Sequence, residues 1–364
     1  MLMLLALKGL IIALVPGVII YLSRGEDKYK RLAWVTVFLT FDLIVFGAFT
    51  RLTDSGLGCP DWPGCYGSVT PIGALQSIRE AAQVMPEGPV TLPKAWIEMI
   101  HRYVGGLLGL LIIAICWMAW RYRTKLGDSP VLAFVTLAAV CLQGAFGAWT
   151  VTHQLMPLVV TAHLLGGMTL LALMTWLAAR ERPHQPVSDW AQRYLGWACL
   201  GLLLLFVQIA LGGWVSTNYA ALACMDFPTC HGSWWPPMDA ANGFALVRGL
   251  GEMPNGEMIS QTALTAIHWV HRNVAWLVFA FWGWLAWRLR ADAALRNPAT
   301  LVLGLLCAQL LTGLTTIFFQ WPLVIAVLHN GGAAGLVLGV VTLLTRLVKA
   351  QPQRLSVQSG THSH

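Results

Sequence analysis

Charge is what this sequence has least of. Asp, Glu, Lys and Arg make up 11% of 364 residues, where a soluble domain carries about 25%. That deficit excludes a soluble globular enzyme and a disordered chain. Cysteine is too sparse, at 8 residues, for a secreted disulfide miniprotein. No C-x-x-C motif is present. The net charge of +7 does not mark a nucleic-acid surface, because the basic residues sit in short segments between apolar runs.

Apolar residues fill the remainder. They make up 57% of the chain, and the mean hydropathy is +0.65. A helix crosses the hydrocarbon core with about 20 apolar residues. Nine runs reach that length or near it: 3–22, 32–50, 95–119, 130–151, 157–179, 194–216, 261–287, 298–319 and 323–347. They do not alternate as barrel strands do, so the expected class is an all-α polytopic membrane protein.

Basic residues set the orientation. Arg24, Lys28, Lys30 and Arg31 follow the first run, and similar groups follow the third, fifth, seventh and ninth. The intervening loops hold only Arg51, Arg79, Lys94 and Arg248. The basic side is expected to be cytoplasmic, with the loops at about 51–93 and 218–258 outside. Residues 1–22 lack a small-residue cleavage site and carry Lys8 within the run; they are expected to remain as an extra helix. The polar tail after Arg354 is expected to be disordered.

The chain repeats itself. GAFTRLTDSGLGCPDWPGC (Gly47–Cys65) aligns without a gap to GGWVSTNYAALACMDFPTC (Gly212–Cys230). WIEMIHR (Trp96–Arg102) faces AIHWVHR (Ala266–Arg272), and PLVVTAHLLGG (Pro157–Gly167) faces PLVIAVLHNGG (Pro322–Gly332). The expected organisation is an extra helix and basic loop over 1–31, four-helix halves over 32–180 and 193–348, and a cytoplasmic tail over 349–364. The halves form a parallel repeat, each a four-helix bundle able to hold a cofactor.

Four histidines fall inside spans at matched places: His101, His163, His271 and His329. Rises of 1.5 Å per residue put them about 10 Å or a little more from the outer end. A lone histidine in a span commonly just hydrogen-bonds a neighbouring helix. Two equivalent pairs at one level suit the axial positions of haem iron; the three or four convergent ligands that zinc needs are missing. His268 lies three residues before His271 and competes with it as ligand. His153, His184, His231, His362 and His364 lie in loops or the tail and are set aside. Glycines follow the ligands (Gly105, Gly106, Gly109, Gly166, Gly167, Gly331, Gly332); they serve close helix packing or room for a flat macrocycle.

Glu98 stands out because a carboxylate inside a span is costly and usually functional. It shares a helix face with His101, and its counterpart in the repeat is His268. The difference suggests that the first half does chemistry while the second holds a fixed cofactor; the plain alternative is a solvated acid at the membrane interface. Arg102 and Arg272 either meet haem propionates or snorkel to the interface. Asp42 is mid-span, facing Val207 in the repeat, and has a proton path or an unidentified polar partner as its readings. Cys116, Cys141, Cys199 and Cys307 are expected to be packing residues. Cys59 with Cys65, and Cys224 with Cys230, lie in the outward loops and are expected to form disulfides, as staples or, for the first pair, as a redox couple.

The cysteine block at Gly47–Gly67, the E-x-x-H-R of Glu98–Arg102, the H-R of His271–Arg272, and His163 and His329 together resemble the haem A synthase family over about 32–348. The resemblance is to the bacterial group with two loop cysteine pairs, in the inner membrane. It implies oxidation of a ring methyl of haem O to a formyl group: hydroxylation, a second oxidation and loss of water. It implies a haem b cofactor on His271 and His329, substrate haem O on His101 and His163, and Glu98 as the essential acid. The implied partners are haem O synthase, membrane lipid and an electron acceptor that the residues do not identify; the product serves a haem-copper oxidase. The extra helix at 1–22 departs from the family's eight-helix core. Two competing readings are a bis-histidine b-type electron-transfer cytochrome, which has no use for Glu98, and a quinone-linked thiol oxidase, which leaves the histidines unexplained.

Overall fold

The long apolar runs fold as helices whose ends are set by capping residues and charge. In the computed structural model, residues 25–86, 88–126, 129–180 and 185–348 are described. Eight long helices run through them: α1 Gly25–Leu52, α2 Leu92–Arg121, α3 Val131–Thr152, α4 Pro157–Ala179, α5 Leu195–Thr217, α6 Gln261–Leu289, α7 Arg296–Phe318 and α8 Leu323–Val348. Thr91 caps α2 by accepting from the Lys94 amide at 3.4 Å, and Ser260 caps α6 by accepting from the Ala263 amide at 3.2 Å. Such caps satisfy amides that the first helical turn leaves bare. Among the described residues no strand forms, only isolated bridges in the loops. The expected run at 3–22 and the tail lie outside the described residues.

Seven of these helices are long and apolar enough to cross a membrane; the protein is a multi-pass membrane protein. The exception is α6. Its 29 residues are ample, but its histidines, tryptophans and Asn273 dilute its apolarity.

Neighbouring helices close two rings. α1, α2, α3 and α4 touch in turn, with α4 returning to α1; α5 to α8 do the same. The rings meet along α1, α4, α5 and α8. The dry core is concentrated at one end, where α1, α5 and α7 begin and α2, α4, α6 and α8 finish. It includes Val37, Ile112, Leu171, Trp282, Val302 and Val340. That is the basic end of the bundle. The opposite end, beneath the two long loops, carries the cavities.

The free cysteines correct one expectation. Cys116 is buried, but Cys141, Cys199 and Cys307 are exposed on outward helix surfaces, so they pack nothing inside the bundle.

Candidate active site

Each of the four span histidines lies against a glycine of the helix that precedes it. A Cβ on Gly47 of α1 would stand 2.9 Å from His101 Nε2, and one on Gly212 of α5 would stand 3.0 Å from the His271 ring. Gly147 of α3 and Gly313 of α7 face His163 and His329 in the same way, at 3.3 and 3.4 Å. A side chain at Gly47 would force the imidazole to shift, at Gly212 and Gly147 the ring would have to give by a few tenths of an ångström, and at Gly313 the contact would be close to an ordinary one.

Glutamines one turn before these glycines hold the histidine-bearing helices. Gln143 donates to the His163 carbonyl at 2.8 Å, and Gln309 donates to the His329 carbonyl at 2.8 Å. Gln208 donates to the His271 carbonyl at 3.1 Å and lies 3.1 Å from its Nδ1. The fourth place is taken by Leu43. In the second ring, Thr312 adds a contact to His329 Nδ1 at 2.9 Å. The threonine hydroxyl already donates to the Ala308 carbonyl, so it accepts from Nδ1–H and leaves Nε2 with a free lone pair.

Two cavities border these residues. The larger, about 1120 Å³, is lined by Glu98, His101, Arg102, Gln143 and His163. The smaller, about 210 Å³, is lined by His268, His271, Arg272, Gln309 and His329. Leu164, Gly213, Ser216 and Asn330 border both. His163 Nδ1 and Gln143 Oε1 are buried without a hydrogen-bond partner among the described residues. Buried polar atoms are rarely left so, and at a cavity wall they suit a polar or metal-bearing guest.

Glu98 is only 4% exposed, which removes the reading of a solvated interfacial acid. One carboxylate oxygen accepts from the Cys59 amide at 2.8 Å; the other accepts from the Arg102 guanidinium. His268 occupies the equivalent place, its Nδ1 accepting from the Cys224 amide at 3.2 Å. His268 therefore holds the loop, while His271 lies in the glycine contact that the other three histidines share.

The arginines do work that the sequence reading missed. Arg102 donates to the carbonyls of Asp61 and Gly64 at 2.8 and 2.6 Å. Arg272 donates to those of Asp226, Thr229 and Cys224, each at 2.8 Å. They pull the cysteine loops onto the bundle rather than snorkelling. Nε of Arg272 remains buried and unpartnered among the described residues.

The loops themselves repeat in detail. Both disulfides, Cys59–Cys65 and Cys224–Cys230, are formed. Asp61 accepts from the amides of Tyr66 and Gly67 at 2.6 and 2.7 Å. Asp226 accepts from those of His231 and Gly232 at 2.7 and 3.0 Å. Partial desolvation raises the Asp226 carboxyl, but the Thr229 hydroxyl and these amides outweigh it and hold the group down at about 2. Tyr66 with Gly67, and His231 with Gly232, all take positive φ, the left-handed turn that lets the aspartates collect two successive amides. The paired aspartates of C-x-D-[W/F]-P-x-C were visible in the sequence, though their turn-forming role was not.

Arg51 joins the rings at this end. It donates to the Ser216 carbonyl at 2.8 Å and the Tyr219 hydroxyl at 3.0 Å. His153 is exposed beside Thr152, and His231 serves the loop; His184, His362 and His364 lie outside the described residues. Gly166 and Gly332 make room for Gln143 and Gln309 respectively, whereas Gly106 and Gly109 face open space.

Fold and site together define a polytopic membrane protein with two histidine-lined cavities on one repeated plan. The sequence matches the COX15-CtaA cytochrome oxidase assembly protein family over residues 30–341, and the chain belongs to that family. A relative named haem A synthase in Shewanella oneidensis is 41% identical over 321 residues, covering 86% of this chain and 96% of the relative. Another of that name, from Beijerinckia indica, is 30% identical over 349 residues, covering 87% and 92%. A third, from Sphingopyxis alaskensis, is 30% identical over 343 residues, covering 87% and 91%.

Proposed function

We propose that this chain is a haem A synthase, oxidising a ring methyl of haem O to a formyl group. The observation that carries this reading is one difference between two matched cavities. The larger has an acid, Glu98, where the smaller has His268.

In this reading 32–180 is the substrate half and 193–348 the cofactor half. His101 and His163 receive haem O; the unpartnered Nδ1 of His163 and the greater volume fit a guest that enters and leaves. His271 and His329 hold haem b. The Thr312 hydroxyl, accepting from His329 Nδ1–H, fits a ligand that stays fixed, and Gln208 steadies the helix of His271 through the His271 carbonyl. Haem b, when bound, supplies one-electron redox chemistry. Arg272 Nε, buried and bordering the smaller cavity, suits an anionic propionate; Arg102 is given the same contact in the larger one.

Glu98 does the acid–base work. Each carboxylate oxygen keeps a lone pair beyond the bond it already accepts. The Cys59 amide and Arg102 fix the group in place, so it takes a proton from the methyl under oxidation or sets negative charge against positive charge developing there. With water supplying the oxygen, the methyl carbon gives up four electrons, and four protons are released, in becoming a formyl group; the electrons pass to an acceptor. The disulfide loops face outward and the C-terminus is cytoplasmic in a bacterial inner membrane. Haem O synthase supplies the substrate, and a haem-copper oxidase uses the product.

The test is chromatography of haems extracted from protein made in a host that also produces haem O. Haem A or its hydroxylated precursor beside haem b is the expected result. Haem b alone, at two per chain, would overturn it in favour of an electron-transfer cytochrome.

A further inference from the structure

The two cavities also differ along one seam. In the second ring, α6 and α7 bring large residues to it. Trp276, Phe279 and Leu310 line the smaller cavity. The Trp276 ring lies 6.3 Å from those of Phe227 and Phe279, and Phe227 lies 6.4 Å from Phe318. The repeat puts small residues at the matched places of the first ring. Gly106 stands for Trp276, Gly109 for Phe279, Gly144 for Leu310 and Thr152 for Phe318. A Cβ on Gly106, Gly109 or Gly144 would meet nothing within 4 Å. Small residues in membrane helices commonly bring neighbouring helices together; these leave a gap instead. Gly106 and Gly144 are exposed and yet line the larger cavity, so that cavity reaches the outer surface of the bundle between α2 and α3.

We propose that this seam is an apolar trough for the farnesyl tail of haem O. The inference rests on the haem A synthase reading. Haem b has no such tail, and the cavity assigned to haem b has its seam filled by Trp276 and Leu310. The depth agrees. Gly106 is five residues beyond His101, and Gly144 is three before Gly147. At 1.5 Å per residue they lie about 7.5 and 4.5 Å from the histidine level, both towards the basic end and so towards the middle of the bilayer. The trough therefore opens onto hydrocarbon rather than water. Leu107 and Leu110 border it, 45% and 65% exposed. The same cavity holds Glu98 and the buried, unpartnered Nδ1 of His163, so its polar end and its apolar mouth are continuous. A tail lying in the seam stays in apolar surroundings while the reacting methyl stays inside.

The test has two arms. In the first, protein in lipid nanodiscs and already holding haem b is titrated with haem O and, separately, with further haem b, followed by absorbance. Gly106→Trp with Gly144→Leu installs the side chains of the second ring. It should weaken haem O binding about tenfold or more and leave haem b binding within about twofold. Equal weakening of both, or of neither, overturns the proposal. The second arm keeps both glycines, so it decides the matter if the double variant does not fold. A benzophenone amino acid replaces the exposed Leu110, and the protein is irradiated with haem O bound. An adduct of haem O on α2 is expected. An adduct with phospholipid alone, or one formed equally with haem b, overturns the proposal. Haem A formation by the unaltered chain is scored separately. If it occurs while both arms fail, the trough alone is lost; if it does not occur, the synthase reading falls and the trough with it.

Discussion

Glu98 accepts a hydrogen bond at 2.8 Å from the backbone amide of Cys59, so the acid of the larger cavity is tied to the main chain of a disulfide-bonded residue. The carboxylate is positioned by a loop distant in sequence as well as by its own helix neighbour Arg102. Anything that loosens the loop therefore reaches the acid.

Replacing Glu98 by Gln separates those two roles. Glutamine still offers an oxygen to the Cys59 amide but has no carboxylate to take a proton. Haem b content should be unchanged and haem A formation should fall by about 10²-fold or more, read by chromatography of extracted haems. Normal haem A formation would remove Glu98 from the chemistry.

Gly212→Ala should displace a ligand. The new methyl would lie 3.0 Å from the His271 ring, and a disturbed ligand support costs about 10- to 100-fold in affinity. The purified variant should lose haem b in the pyridine haemochrome assay. Gly283→Ala, on the same bundle where a Cβ meets nothing within 4 Å, should retain it. Equal retention in both would show that the glycine contact does not seat the ligand.

Arg272→Ala should free the second cysteine loop. Three carbonyls lose their donor, and hydrogen bonds to a charged group contribute about 1.5–3 kcal/mol each. The melting temperature should drop and Cys224–Cys230 should be reduced faster by dithiothreitol. Arg272→Lys should fall between, having one cation but no planar fork.

Acid should open the same loop. Asp226 is held down at about 2, below its usual value of about 4. A depressed carboxyl gives stability that is present above its unfolded-state value and lost as pH falls towards the folded one. Loop ordering, followed by the fluorescence of the exposed Trp234 and Trp235, should therefore decline between about pH 4 and 2. Asp226→Asn should flatten that part of the profile; an unchanged profile would mean another group controls it.

Much of this architecture was legible because membrane helices announce themselves by length and apolarity. The run at 95–119 became Leu92–Arg121, lengthened by a few residues at its ends, and the run at 157–179 became Pro157–Ala179 with its bounds unchanged. The disulfide partners were legible from their repeated spacing. What the sequence concealed was direction. Nothing in the pattern says that Arg102 turns back onto loop carbonyls, or that Cys141 faces out while Cys116 faces in. One signal was readable in hindsight: Gln-x-x-x-Gly occurs at Gln143–Gly147, Gln208–Gly212 and Gln309–Gly313, with Leu43–Gly47 as the divergent fourth. It stands out only once the glycines are known to touch histidines.

Those four contacts have a consequence for assembly. Gly47 and His101 belong to consecutive long helices, as do Gly147 and His163, Gly212 and His271, and Gly313 and His329. Each imidazole thus finds its glycine within a single inserted hairpin. A nascent chain can finish every seat locally, two helices at a time, and leave only the closing of opposite seats to the docking of one hairpin against the next.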